Sequence, residues 1–509
     1  MSNKKSKSGR SRSGAAQPSQ SRQERQQRYR EAAARDRTRT TGEPTQEATT
    51  VADRQFLDVG VVRVQSYLTR SGSDLRGFRG ASVRLSEATS EQFWTERLPD
   101  GAHWNKEAGD VDGVVSLELR PDAEPDAVAA EVASVLRAEL PAAGITAVHG
   151  TGASYIEAYR EMVDRRDRGE LIVDSPAPIR HVVLAKPCDR CMSWPAVGLI
   201  AATSDNPTVD NTREGCIDCR RRYIDGTKGD ADSWRPRAEG VLRKDLAAHN
   251  EAPCPGFPDD FEELGNGDHI ALVYADGNRI GDFVTQAQRK GVPKSDIAVG
   301  ITHGTRKALA AAASEVLTAA GTNSKGKVPV LPHLIGGDDV HISVPAAQAW
   351  RFVAALLGGF PDSVKRQFDK PLPAPTISAG VIFFHHTTPF VDVVDAAARE
   401  LRRAKTSGLG QTSSVSFLDL VADGFDPPAE RICPRSEDLT RWQPGLTELV
   451  VGTATSHRAL LLDLLRRNKF EEAEDRMRAA DTRALFQQLE DQGLSVRNQL
   501  DIARWWPTT

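Results

Sequence analysis

Residues 331–345 read LPHLIGGDDVHISVP, two apolar runs separated by two glycines and two adjacent aspartates. Such a pattern predicts a β-hairpin, buried along its strands, with an acidic tip. One aspartate in a turn is ordinary, because its side chain caps its own backbone. Two side by side repel each other, and a cation or metal ion close by relieves that repulsion. The hairpin therefore fixes a local topology and sets a chemical demand on whatever packs around it.

The flanking residues supply a matching pattern. HIALVYAD (269–276) is an apolar strand ending in Asp276, GNRIGDF turns into a helix, and a long Ala-rich helix leads to the hairpin. A helix (AAQAWRFVAALLGGF), a strand (TISAGVIFFHH, 376–386), an amphipathic helix (PFVDVVDAAARELRRAKTSG) and a strand (SSVSFLDL) follow. The order β-α-β-β-α-β-α-β is a ferredoxin-like core with one added helix and strand. The opening strand is expected beside the strand after the first helix, which brings Asp276 towards Asp338 and Asp339. Three converging carboxylates suit Mg²⁺ or Mn²⁺. Gly336 and Gly337 permit tight backbone geometry and close ligand approach. The turn at Gly277 and Asn278 presents backbone N–H groups at a helix start, a seat for phosphate. Lys405, with Arg402 and Arg403 nearby, can neutralise a triphosphate. These are the parts needed for attack of a ribose hydroxyl on an α-phosphate. His303 and His333 are read as ordinary satisfied polar residues.

Residues 55–180 also alternate strands with helices but contain no paired acidic turn, so this unit is expected to be structural, completing a composite pocket with the second. Asp58 and Asp74 within it are read as surface or capping residues. Between the units, CDRC (188–191) and CIDC (216–219) are two CxxC knuckles with 24 residues between them. That spacing predicts one structural Zn²⁺ on Cys188, Cys191, Cys216 and Cys219, with Cys254 and Cys433 free. The tail from 430 to 509 carries Leu, Phe and Met at helical spacing and reads as a bundle core or a face for a partner helix.

At 509 residues the chain is expected to hold two to four structural units. A net charge of −4 argues against a protein that binds polyanions over its whole surface. With no long apolar span and no leader, it is expected to be cytoplasmic and free of the membrane. The opening 50 residues are rich in Arg, Lys, Ser and Gln, which predicts a disordered tail, either a tether to RNA or a solubilising extension.

In this order, YADGNRIGDF, LIGGDDVHISVP, ISAGVIFF and ARELRRAK resemble the cyclase-type palm of the large polymerase-like subunit of type III CRISPR effector complexes. The segment LDVGVVRVQSYLTRSGSDLRGFRGASVRLSEA resembles the start of that subunit's degenerate first palm. The resemblance implies an α+β chain divided as follows: a basic tail (1–52), a first palm (53–180), a zinc-binding segment and connection (181–260), a GGDD palm (261–425) and a C-terminal helical domain (426–509). It implies Asp276, Asp338 and Asp339 as catalytic, metal-binding carboxylates, Lys405 on phosphates and Ser378 facing the nucleotide pocket. The activity implied is synthesis of cyclic oligoadenylate from ATP, a signal in antiviral defence. The partners implied are subunits of an RNA-guided effector complex with its guide and target RNA. The chain has no His-Asp dipeptide and no room for the nuclease domain that often opens the family, so DNA cleavage is not expected and a free-standing signalling enzyme is a rival context. A catalytically silent scaffold subunit and a cyclic di-GMP synthase are the other readings. The Val340 that follows Asp339 speaks against the last.

Overall fold

The structure, a computed structural model, describes residues 53–70, 75–109, 111–174, 185–200, 213–226, 237–265, 268–428 and 430–507. The chain divides into units 1–52 and 53–509. The expected basic tail lies outside the described residues, as does Asp74.

The second unit is built on two five-stranded sheets. The first contains β1 (Arg54–Val62), β2 (Ala102–Trp104), β3 (Val114–Leu119), β4 (Gly144–Gly152) and β5 (Ile172–Asp174). Two short strands, β6 (Gly198–Leu199) and β7 (Glu214–Gly215), pair within the cysteine segment. The second large sheet contains β8 (His269–Asn278), β9 (Leu331–Gly336), β10 (Asp339–Pro345), β11 (Thr376–His385) and β12 (Ser414–Asp419). Strand orders are β2-β3-β1-β4-β5 and β9-β10-β8-β11-β12, so corresponding strands occupy corresponding places. The chain thus folds the same palm twice, except that β5 pairs antiparallel to β4 whereas β12 runs parallel to β11. One expectation is corrected: β8 lies beside β10, the returning strand of the hairpin, while β9 sits at the sheet edge. The acidic tip still reaches β8, because antiparallel β10 begins where β8 ends.

β8 is buried on both faces, which explains its unbroken apolar run. Ala271, Val273 and Ala275 face one core, with helices Lys294–Ala320 and Ala349–Lys365 and the C-terminal helices. Ile270, Leu272 and Tyr274 face a second core, with helix Phe390–Ser407 and residues of the first palm. The expected C-terminal bundle is present as five helices between Ser436 and Ala503. Its Leu461, Met477, Phe486 and Leu489 are buried in the first of these cores.

Asp58, expected at the surface or at a cap, is buried in β1 at 7% exposure. Its carboxylate accepts from Ser116 Oγ (2.6 Å) and Tyr155 Oη (2.7 Å). The Lys294 ammonium of the second palm donates to the same Tyr155 oxygen at 3.1 Å. Two hydroxyl donors make this burial tolerable, which the isolated sequence position does not reveal.

Candidate active site

Each palm leaves its central strand through one arginine in the left-handed region, Arg63 (φ 54°) after β1 and Arg279 (φ 50°) after β8. Asp276 stands three residues before Arg279, and Gly60 three before Arg63. Val114 pairs with Gly60, and in the second palm the β8–β10 register, which begins at Val340 and Ala275, sets Asp339 and Asp276 at the equivalent positions one residue beyond. Glycine and valine therefore stand where the second palm has carboxylates, so the first palm carries no acidic site of its own.

In the second palm, residues alternate faces along each strand. Asp276 shares its face with Tyr274, and Asp339 shares its face with His341. Tyr274 and His341 lie opposite each other, their rings 3.8 Å apart at the centroids. This stack floors the carboxylate end of the sheet. His341 is fully buried, and its Nε2 lies 3.5 Å from Asp339 Oδ1. Gln65, from the short helix after β1, donates its Nε2 to Asp339 Oδ2 at 3.0 Å. The first palm thus contributes a side chain directly to the acidic turn.

Lys405 ion-pairs with Asp276 and donates to the Gly277 carbonyl at 2.9 Å. Burial holds the Asp276 carboxyl above its ordinary value, with Lys405 pulling the other way. At Asp338, burial first and then the Asp276 charge push the carboxyl up to about 6. Gly277 is required by this geometry: a Cβ there would meet Asp338 Oδ2 at 2.6 Å and Ile280 at 2.5 Å. Gly337 adopts φ 60°, a conformation that favours glycine, whereas a Cβ on Gly336 would make only ordinary contact with Asp112 Oδ2 at 3.7 Å. Asn278 is buried, and its amide donates to Thr376 Oγ1 (3.0 Å) and the Thr412 carbonyl (3.2 Å). It braces the turn with its side chain. Ser378, expected to face the nucleotide, has no exposure and places its hydroxyl 3.3 Å from that of Ser414. Ser414 in turn donates to the Ala404 carbonyl (2.9 Å), so the serine pair supports the helix turn bearing Lys405. Arg403 bonds the Arg431 carbonyl and lies 3.5 Å from Glu400, away from the carboxylates.

A divalent cation fits this donor set. Asp339 Oδ1 is buried without a hydrogen-bond donor, and Asp276 and Asp338 are carboxylates whose charge burial disfavours. Among the described residues, Cys188, Cys191, Cys216 and Cys219 form the one group of three or more His, Cys, Asp or Glu side chains whose ligand atoms all lie within 4.8 Å of one another. The three aspartates do not all approach so closely. None of the four cysteines is in a disulfide, nor is Cys254 or Cys433. Sequence reasoning missed Gln65, Tyr274 and His341. The one signal for Gln65 was the repeated strand–Arg–helix wording of VVRVQS and GNRIGD.

Comparison with known proteins agrees with this geometry. Residues 269–411 match the family model described as Cas10/Cmr2, second palm domain. No curated protein sequence matches the chain. A crystal structure of a Csm1–Csm4 cassette in complex with cA4 is similar in fold, with TM-score 0.51, 13% identity, and 90% of this chain and 70% of that chain covered. One in complex with AMPPNP gives 0.50, 15%, and coverage of 89% and 69%. One in complex with cA3 gives 0.50, 14%, and coverage of 94% and 72%. The fold of the chain is thus similar to that of the Csm1–Csm4 structures, and the family match, over residues 269–411, is to a Cas10/Cmr2 second palm. No helix among the described residues is long and apolar enough to cross a membrane.

Proposed function

We propose that the chain is a metal-dependent nucleotidyltransferase that joins ATP into cyclic or short linear oligoadenylate with release of pyrophosphate. The observation that carries this reading is the cluster of Asp276, Asp338 and Asp339 with Lys405 at one end of a Cas10/Cmr2-type palm. The relatives solved with cA4, cA3 and AMPPNP support the choice of adenine. Asp276, Asp338 and Asp339 would hold Mg²⁺ or Mn²⁺, which when bound supplies charge neutralisation at the α-phosphate. Lys405 holds Asp276 and the Gly277 carbonyl in place and offers its charge to phosphates. The Asp338 carboxyl, held above its ordinary value by burial and the Asp276 charge, is a group whose ionised form a bound cation would stabilise. The Tyr274–His341 stack excludes water beneath the carboxylates. A silent scaffold has no use for a buried carboxyl kept at this energetic cost.

Cys188, Cys191, Cys216 and Cys219 would hold one structural Zn²⁺. Assembly with effector-complex subunits and RNA, as the resemblance implies, remains part of this proposal. The test is incubation of full-length protein with each labelled NTP and Mn²⁺, alone and with an effector complex. Asp338→Ala with Asp339→Ala should abolish oligoadenylate formation while leaving zinc content unchanged. Continued product formation by the double variant would place the chemistry elsewhere.

A further inference from the structure

We propose that Gln65 of the first palm is a positioning residue for Asp339, and that Arg222 of the cysteine segment holds Gln65 in place. The proposal rests on the metal-binding reading of the acidic turn. The Gln65 amide spans the seam between the palms, with Nε2 3.0 Å from Asp339 Oδ2. Only this orientation of the amide works, because the reverse would set its oxygen against a carboxylate oxygen. Fixing Oδ2 stops rotation of the carboxylate and leaves Oδ1, which is buried, accepts no hydrogen bond and has His341 Nε2 3.5 Å away, as the oxygen that would face a cation.

Gln65 sits on helix Val64–Thr69, six residues long. A helix so short does not persist by itself, so its placement must come from outside. Arg222 supplies that anchor. Its guanidinium donates to the Tyr67 carbonyl (2.6 Å), lies 3.4 Å from the Leu68 carbonyl, and stacks 4.1 Å from the centre of the Tyr67 ring. Arg222 is fully buried and pairs with Asp218 at 2.7 Å. Both belong to helix Ile217–Asp225, which begins at Cys216 and carries Cys219 in its first turn. The backbone contact is equally close: a Cβ on Gly80 would lie 1.8 Å from the Arg222 carbonyl oxygen, and one on Gly226 2.3 Å from that of Arg76. A continuous path therefore runs from the four cysteines through Arg222 and helix Val64–Thr69 to Gln65 and Asp339.

Loss of a hydrogen-bond partner behind a metal-binding carboxylate typically weakens metal affinity by about 10- to 100-fold. Gln65→Met keeps the shape and removes the donor. In full-length, zinc-loaded protein titrated with Mn²⁺ and followed by electron paramagnetic resonance, this variant should bind Mn²⁺ about tenfold more weakly. Zinc content and melting temperature should stay near wild type. Mn²⁺ affinity that is unchanged or tighter would overturn the proposal. If instead Asp338→Ala with Asp339→Ala binds Mn²⁺ like wild type, the metal-site reading itself fails, and the two failures are distinguishable. The role of Arg222 is read from a double-mutant cycle with Arg222→Lys. Its effect on Mn²⁺ affinity should vanish once Gln65 is methionine, and additive effects would refute the link. Should Arg222→Lys lose zinc, Tyr67→Leu, which removes only the ring under the guanidinium, replaces it in the cycle.

Discussion

Asp338 carries a carboxyl that burial and the Asp276 charge have raised from 3.8 to about 6. A carboxyl raised on folding favours the native state while protonated, and that advantage is lost as pH rises through about 6. Below pH 3.8 it is fully present, so the native protein bears the cost of this group at neutral pH. Asp338→Asn should accordingly stabilise the metal-free protein at pH 8 by up to about 3 kcal/mol, the value of the shift at 1.36 kcal/mol per unit. The gain should shrink towards zero as pH falls to about 4. Urea unfolding of both proteins across that range measures it, and an asparagine variant less stable than wild type at pH 8 would contradict the assignment. At this scale the sequence was legible where chemistry is local. Adjacent Asp338 and Asp339 announce themselves. Gln65 does not, because its partner lies 274 positions away and no short-range pattern encodes that contact. Asp58 was misread for a related reason: its two hydroxyl donors, Ser116 and Tyr155, come from other elements.

Elements were legible in proportion to their length. β8 and β11, ten residues each, carry apolar runs that only a buried strand or helix explains, and β9 and β10 are bracketed by the Gly-Gly-Asp-Asp turn. β2 and β5, three residues each, are too short to show a period, so the first palm was legible through its resemblance to a degenerate palm and not through its strand pattern. The cysteine element was legible because ligand spacing is independent of the strands around it. On the proposed zinc reading its folding would rest on the ion, since strands of two residues each add little stability by themselves. One Zn²⁺ per chain is expected by elemental analysis, and Cys216→Ser should lose it. That variant should also raise amide exchange in helix Val64–Thr69, which Arg222 anchors. Full zinc occupancy in Cys216→Ser, or none in wild type, would remove the metal from the explanation.

Across the whole second unit, the two palms differ in chemistry but not in their dependence on each other. Val59, Leu117 and Phe78 of the first palm share one buried cluster with Ile270, Leu272, Ile382, Phe384 and Phe390 of the second. The face of the second sheet that carries Asp276 and Asp339 is thus also an apolar face that the first palm covers. Ile270, Leu272, Ile382 and Phe384 have no exposure in the intact fold. Burying a side chain of this size contributes roughly 1.5–3 kcal/mol, so uncovering several together exceeds the margin of an ordinary domain. Lys294 and Tyr155 add a polar tie across the same seam. A chain starting at residue 237 should therefore aggregate or bind a hydrophobic dye. Such a chain should also make no oligoadenylate under conditions that activate the intact protein, because Gln65 would be absent. The intact protein should unfold in one transition reported alike by Trp94 in the first palm and Trp350 in the second, each substituted by phenylalanine in turn. Two separated transitions, or a soluble second palm alone that binds Mn²⁺ as tightly as the whole chain, would show that the first palm is neither a structural cover nor a contributor to the site.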